Sequence, residues 1–435
     1  MKRHRRKGYK RRGRLLWKLQ VGLILMGLAG ISVFLWQNSL TRAELSKIRE
    51  PLGEYLKSQE PGWEPEFAET EQEMEPRESK PTEEELFEQE IEAFLEEMTL
   101  EEKIYQMFII TPEQLTGTSP VTAAGETTKN KLKEHPVGGL IYFAQNLISE
   151  EQTKEMLANT MEFAEEIEDL PIFLCVDEEG GRVARVGKNP AFQVEQIQPM
   201  GQITDEEEAY RIGTVIGGYL RELGFNVDFA PDADVITNEK NTAIGDRSFG
   251  SDPQIVTHLA IAVSNGLHAE GIMSTFKHFP GHGATEADTH QGYAYGKRTY
   301  EELMVSELVP FAAANENGVD MIMVAHISFP DLLGDDTPSS LSYQMITEVL
   351  RGELEYDGLV VTDALNMGAI AENYSSDEAA VKAVEAGVDL LLMPKDFTLA
   401  YEGIMGAVLD GRISEERINE SVGRILRKKL EFVAK

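Results

Sequence analysis

From about residue 100 onward, short apolar runs recur along the chain, each closing on a polar residue or a Gly/Pro cluster. They are Met107 to Ile110, Gly139 to Phe143, Ile172 to Asp177, Val227 to Pro231, Thr275 to Phe279, Met321 to His326, Gly358 to Asp363 and Leu390 to Met393. Between them lie amphipathic stretches, of which Glu151 to Glu168 and Glu206 to Leu223 repeat their apolar residues at helical spacing. Eight apolar strands, each followed by a helix, is the count of a closed (β/α)8 TIM barrel. An open, doubly wound parallel sheet alternates in the same way and is the competing architecture.

Upstream the pattern changes twice. Leu19 to Trp36 is an uncharged run of eighteen residues, which as a helix reaches about 27 Å, enough to cross a bilayer. A cleaved signal peptide is the rival reading, but the run ends in Phe34-Leu35-Trp36 without a small-x-small site just beyond it. The basic arm 1–18 then stays in the cytoplasm, which places residues 37 to 435 outside. Residues 37–85 are rich in Glu and Pro with few apolar neighbours, a composition that predicts a disordered, self-repelling stalk. Apolar residues return at helical spacing with Leu86, Ile91, Phe94 and Leu95, and Thr99 fits the cap of a further helix. The folded domain is expected over residues 86–435.

Charge narrows the choice of partners. The net charge is −34, although residues 1–18 carry ten Lys and Arg and no Asp or Glu, so the remainder is more acidic still. Such a body repels nucleic acid and anionic lipid, and neither surface is an expected partner for it. Cys175 is the sole cysteine, which excludes an intrachain disulfide framework; within Ile172-Phe173-Leu174-Cys175-Val176 it reads as a small buried hydrophobe.

The candidate chemistry gathers where the apolar runs end. Asp177 closes the third run, Lys277 and His278 the fifth, His326 the sixth and Asp363 the seventh. Arg247 and the Asp288-Thr289-His290 segment fall in the loops after the fourth and fifth. In a barrel these ends share one rim, where the active site sits. His278, His282, Asp288 and His290 are metal-ligand types, but the first run offers no His pair, and Gly281 and Gly283 make a poor ligand scaffold. Glycoside cleavage is the better match. It needs a proton donor for the leaving oxygen and a carboxylate beneath the anomeric carbon, for which His290 and Asp363 are candidates, with Asp288 able to hold the imidazole tautomer.

These segments resemble glycoside hydrolase family 3, in its bacterial β-N-acetylhexosaminidase branch. The resemblance rests on Asp177-Glu178-Glu179-Gly180-Gly181-Arg182-Val183-Ala184-Arg185, Ala243 to Phe249, Lys277 to Gly283, Asp288-Thr289-His290 and Thr362-Asp363-Ala364-Leu365, in that order. It implies a single barrel with Asp363 as nucleophile, His290 as acid/base and Asp288 orienting His290. It also implies that Asp177, Arg185, Arg247, Lys277 and His278 bind the sugar, and that no cofactor or metal is needed. Two positions depart from the family pattern: Glu178 stands where Gln is usual, and Thr289 where Ser is usual. Related β-glucosidases take their acid from a second domain and carry Trp at the position of Ala364; little chain follows Leu392 here, which favours His290.

The expected activity is removal of terminal β-linked N-acetylglucosamine with retention, from peptidoglycan fragments given the surface location. A phosphorylase, whose neutral histidine tolerates incoming phosphate, and a non-catalytic sugar-binding barrel are the alternatives.

Overall fold

The computed structural model describes residues 82–285 and 294–433. The run 19–36, the stalk as far as residue 81, and Asp288, Thr289 and His290 lie outside them. Among the described residues no helix is long and apolar enough to cross a membrane.

Parallel strands form the centre. They are β1 (Phe108–Ile110), β2 (Gly139–Ile141), β3 (Phe173–Val176), β4 (Val227–Asp228), β5 (Thr275–Phe279), β6 (Met321–Val324), β7 (Leu359–Thr362) and β8 (Leu391–Leu392). One sheet runs β8-β1-β2-β3-β4 and another β5-β6-β7, all in parallel register. Two seams join them. At β4 and β5 the Asp228 N–H donates to Met273 O (2.9 Å) and the Met273 N–H to Asn226 O (2.9 Å). At β7 and β8 the Thr362 N–H donates to Leu390 O (3.0 Å) and the Leu390 N–H to Val360 O (3.0 Å). Through these bonds the two parallel sheets meet at both of their edges.

Each strand is short because only its few apolar residues are enclosed on both faces, and every residue of β1 to β8 is buried. The helices between them start and stop on local signals. Ser149 caps Glu150–Glu168 by accepting from the Gln152 N–H, and Asp205 caps Glu206–Leu223 through the Glu208 N–H. Gly224 ends the latter helix at φ +103°, a left-handed turn that glycine adopts without steric cost.

The first described helix, Glu83–Glu97, begins three residues before the expected domain boundary of residue 86. Thr82 and Glu85 form a reciprocal cap, with the Thr82 N–H donating to Glu85 Oε2 (2.7 Å). Its Phe87 ring lies 5.6 Å beneath the Arg427 guanidinium of the C-terminal helix Glu415–Val433, which Glu84 and Glu88 also pair. A cut at 86 removes that cap.

Candidate active site

At the C-terminal ends of β3, β5 and β7 the chain turns polar around a cavity of about 270 Å³. Its walls carry Asp177, Glu179, Arg185, Arg247, Lys277, His278 and Asp363, with Phe143, Met323, Met367 and Met393 as apolar surfaces. The hollow at His268, Asp320 and Lys428, by contrast, encloses only about 20 Å³.

Alternation along an extended backbone sorts the first group. Asp177 and Glu179 face the cavity, and Glu178 between them is wholly buried on the other side. Lys277 reaches across from β5, with Nζ 3.0 Å from Asp177 Oδ1 and 2.6 Å from Glu179 Oε1. Arg247 grips the same Glu179 with two bonds, Nε to Oε2 at 2.8 Å and Nη2 to Oε1 at 2.7 Å. Burial alone would raise the Glu179 carboxyl, but the charges of Arg247 and Lys277 outweigh it and hold the group far below the usual carboxylate range. Burial would likewise lower Lys277, and Glu179 and Asp177 reverse that, keeping the ammonium protonated.

Arg247 sits on the turn Gly245–Arg247, and the loop ahead of that turn is tied down from outside. Arg182 Nη2 donates to the carbonyls of Ala243 (2.6 Å) and Ile244 (2.7 Å). Arg185 stands at the cavity edge, Nη2 3.4 Å from Asp177 Oδ2 and its guanidinium 5.6 Å from the Phe143 ring centre.

His278 is held from both ends. Its Nδ1 lies 2.7 Å from Asp234 Oδ2, and its Nε2 lies 3.3 Å from Arg247 Nη2. Arginine can only donate, so the proton belongs on Nδ1. Burial works against charging the ring and Asp234 works for it, and the balance lies above the ordinary histidine value. Asp232, Asp234 and His278 bring three metal-ligand types together, the one such cluster found among the described residues. Arg247 Nη2 already stands 3.5 Å from Asp232 Oδ2, so a fixed cation occupies the neighbourhood a metal would need. Burial and the Asp234 carboxylate push Asp232 above the usual range.

Asp363 follows β7. Its N–H donates to Val324 O (2.9 Å), and its Oδ1 accepts from the Ala364 N–H (2.7 Å). His326, expected at the rim, does not line the cavity. It is buried behind the loop, with Nε2 3.0 Å from Ala364 O and Nδ1 2.7 Å from Ser340 Oγ, and so steadies the residue after Asp363. His282 lies against His278 with ring centres 5.9 Å apart, and its backbone N–H bonds to Asp234. Gly281 before it has φ +128°, and a Cβ there would fall 2.4 Å from that of Glu307, so glycine is required for this turn.

Of the residues singled out from sequence, Asp177, Arg185, Arg247, Lys277, His278 and Asp363 therefore share one cavity, while Asp288 and His290 fall outside the described residues. Sequence reasoning missed Glu179, Asp232 and Asp234. The i, i+2 alternation in Asp177-Glu178-Glu179 and in Asp232-Ala233-Asp234 carried the signal. Cys175 is buried and free, as expected.

Three cations thus converge on carboxylates in one hollow, where they can offer hydrogen-bond donors, with the Asp363 carboxylate at a further wall. Residues 99–428 match the family described as "Glycosyl hydrolase family 3 N terminal domain". The chain belongs to glycosyl hydrolase family 3. It is 33% identical over 326 residues to Beta-hexosaminidase A of Pseudoalteromonas piscicida, covering 69% of this chain and 54% of that protein. It is 35% identical over 282 residues to a Beta-hexosaminidase of Nitrosomonas eutropha, covering 63% of this chain and 78% of that one. Among solved structures it is similar to a family 3 beta-N-acetylglucosaminidase from Paenibacillus sp. FPU-7, with a TM-score of 0.72 and 38% identity over 77% of this chain and 63% of that chain. The chain thus spans about half the length of the Pseudoalteromonas relative.

Proposed function

We propose that this family 3 protein is a retaining exo-β-N-acetylglucosaminidase built on a (β/α)8 barrel. The observation that carries the reading is the grouping of Asp363 with Asp177, Arg185, Arg247, Lys277 and His278 around one cavity. The names of the relatives, two Beta-hexosaminidases and a beta-N-acetylglucosaminidase, support the choice of sugar.

In this reading the terminal N-acetylglucosamine fills the cavity and its hydroxyls take hydrogen bonds from Lys277, Arg185 and Arg247. Lys277 has three donors, two of which meet Asp177 and Glu179, leaving one for the sugar. Asp363 attacks the anomeric carbon while His290 gives its proton to the leaving oxygen, so the glycosidic bond breaks as the Asp363 ester forms. Water then attacks the same carbon, His290 takes a proton from it, and Asp363 leaves as carboxylate; two inversions give retention. Asp288 holds the His290 tautomer and stabilises the imidazolium. Neither step uses a metal or cofactor.

We further propose that residues 19–36 anchor the chain in the cell membrane, that residues 37–81 are the stalk, and that the barrel faces outward, where peptidoglycan fragments are the substrate. The uncharged run and its basic flank support this placement. The test of activity is turnover of 4-nitrophenyl β-N-acetylglucosaminide followed by proton NMR. The β anomer should appear first; an α anomer appearing first would overturn the retaining mechanism.

A further inference from the structure

We propose that Glu178 is the positioning residue for Arg185, holding the loop that carries this guanidinium to the cavity edge; the role in turnover rests on the reading above.

Glu178 is wholly buried, and its two oxygens collect four donors. Oε2 accepts from the N–H groups of Arg185 (2.6 Å) and Val186 (2.9 Å). Oε1 accepts from the Gly187 N–H (2.8 Å) and the Tyr219 hydroxyl (2.9 Å) of the helix Glu206–Leu223. Three consecutive amides thus close on one carboxylate, and the loop 178–187 becomes a ring fastened to that helix. Gly187 permits the approach, because a Cβ there would lie 2.9 Å from Glu178 Oε1. Burial raises the Glu178 carboxyl, and these bonds oppose the rise. Arg185 itself lines the cavity, but its Nε is buried with no hydrogen-bond partner among the described residues and its one carboxylate contact, Nη2 to Asp177 Oδ2, is long at 3.4 Å, so the loop backbone rather than side-chain bonding sets the place of the guanidinium.

In this loop a neutral amide satisfies fewer of the four donors than the carboxylate does. Glutamine offers one acceptor oxygen and one NH2 group. Turned one way, its NH2 meets the Arg185 and Val186 N–H groups; turned the other, it meets Gly187 N–H, while the Tyr219 hydroxyl can rotate to accept. At least one buried donor is left unmet in either pose.

The test is Glu178→Gln in the full chain, alone and combined with Arg185→Ala. Glu178→Gln should raise KM about tenfold, the worth of one hydrogen bond from the charged Arg185 that is lost as the loop shifts, with kcat lowered less than threefold. In the Arg185→Ala background the same change should leave kcat/KM unaltered, because the group it positions is gone. Peptide-level hydrogen exchange over residues 179–190 should quicken in Glu178→Gln whether or not the enzyme turns over. Equal losses of kcat/KM in both backgrounds, or unchanged exchange, would overturn the assignment. A wild-type chain inactive on N-acetylglucosaminides would sink the proposed function instead, with the exchange measurement still deciding whether Glu178 holds the loop.

Discussion

Lys277 Nζ lies 2.6 Å from Glu179 Oε1, and both side chains are almost wholly buried. With Arg247 bidentate on the same carboxylate, this pair fixes two of the cavity's three cations. A buried pair broken on one side leaves an uncompensated charge, at a cost of about 3–5 kcal/mol. Glu179→Gln should therefore lower stability by that order in urea unfolding and weaken sugar binding as Lys277 and Arg247 shift. A loss below about 0.5 kcal/mol, as at an ordinary surface site, would show that the cluster does not hold the rim.

The same pair sets a pH dependence. The folded-state pKa of Glu179 lies below its unfolded value, so its stabilisation is complete above about pH 4.3 and lost as pH falls toward the folded value. The stability gap between wild type and Glu179→Gln should be flat from pH 7 to about pH 5 and shrink in more acid solution. A gap that widens on acidification would contradict the depressed carboxyl.

His290→Ala should depend on the leaving group. A good phenolate departs without a proton, whereas a sugar leaving group needs the general acid, worth roughly 10²- to 10⁴-fold. Values of kcat/KM, which report the glycosylation step, should thus diverge between a nitrophenyl glycoside and a disaccharide, and Asp288→Ala should show a weaker version. Equal losses on both substrates would make His290 structural.

Activity should survive excess chelator. Arg247 already stands against Asp232 and His278, and the proposed chemistry uses no metal. Loss in chelator restored by zinc or manganese would reverse the scheme.

Much of this architecture was written in the chain at the level of hydropathy. The eight apolar runs match β1 to β8 to within a few residues, because a strand enclosed on both faces is apolar along most of its length. The ends of those runs also marked Asp177, Lys277, His278 and Asp363 as neighbours, since parallel closure brings all strand ends to one rim. Which side of the loop each polar residue takes was less legible. Glu178 and Glu179 look alike in sequence, yet one anchors backbone amides behind the loop and the other pairs with cations in the cavity. His326 ends its strand run as the others do, but its ring is taken up by the Ser340 hydroxyl and the Ala364 carbonyl behind the loop. Such choices depend on tertiary partners such as Ser340 for His326 and Lys277 for Glu179, which no period-2 alternation encodes.

The most direct test of the proposed chemistry is to identify the residue that carries the glycosyl group. A 5-fluoro-N-acetylglucosaminyl fluoride, which forms the ester faster than it breaks, should inactivate the enzyme, and peptide mass spectrometry should find the added sugar on Asp363. Asp363→Asn should neither label nor turn over while still folding. Label on another carboxylate, or an Asn variant within about tenfold of wild type, a loss of only about 1.4 kcal/mol, would contradict the assignment of the nucleophile.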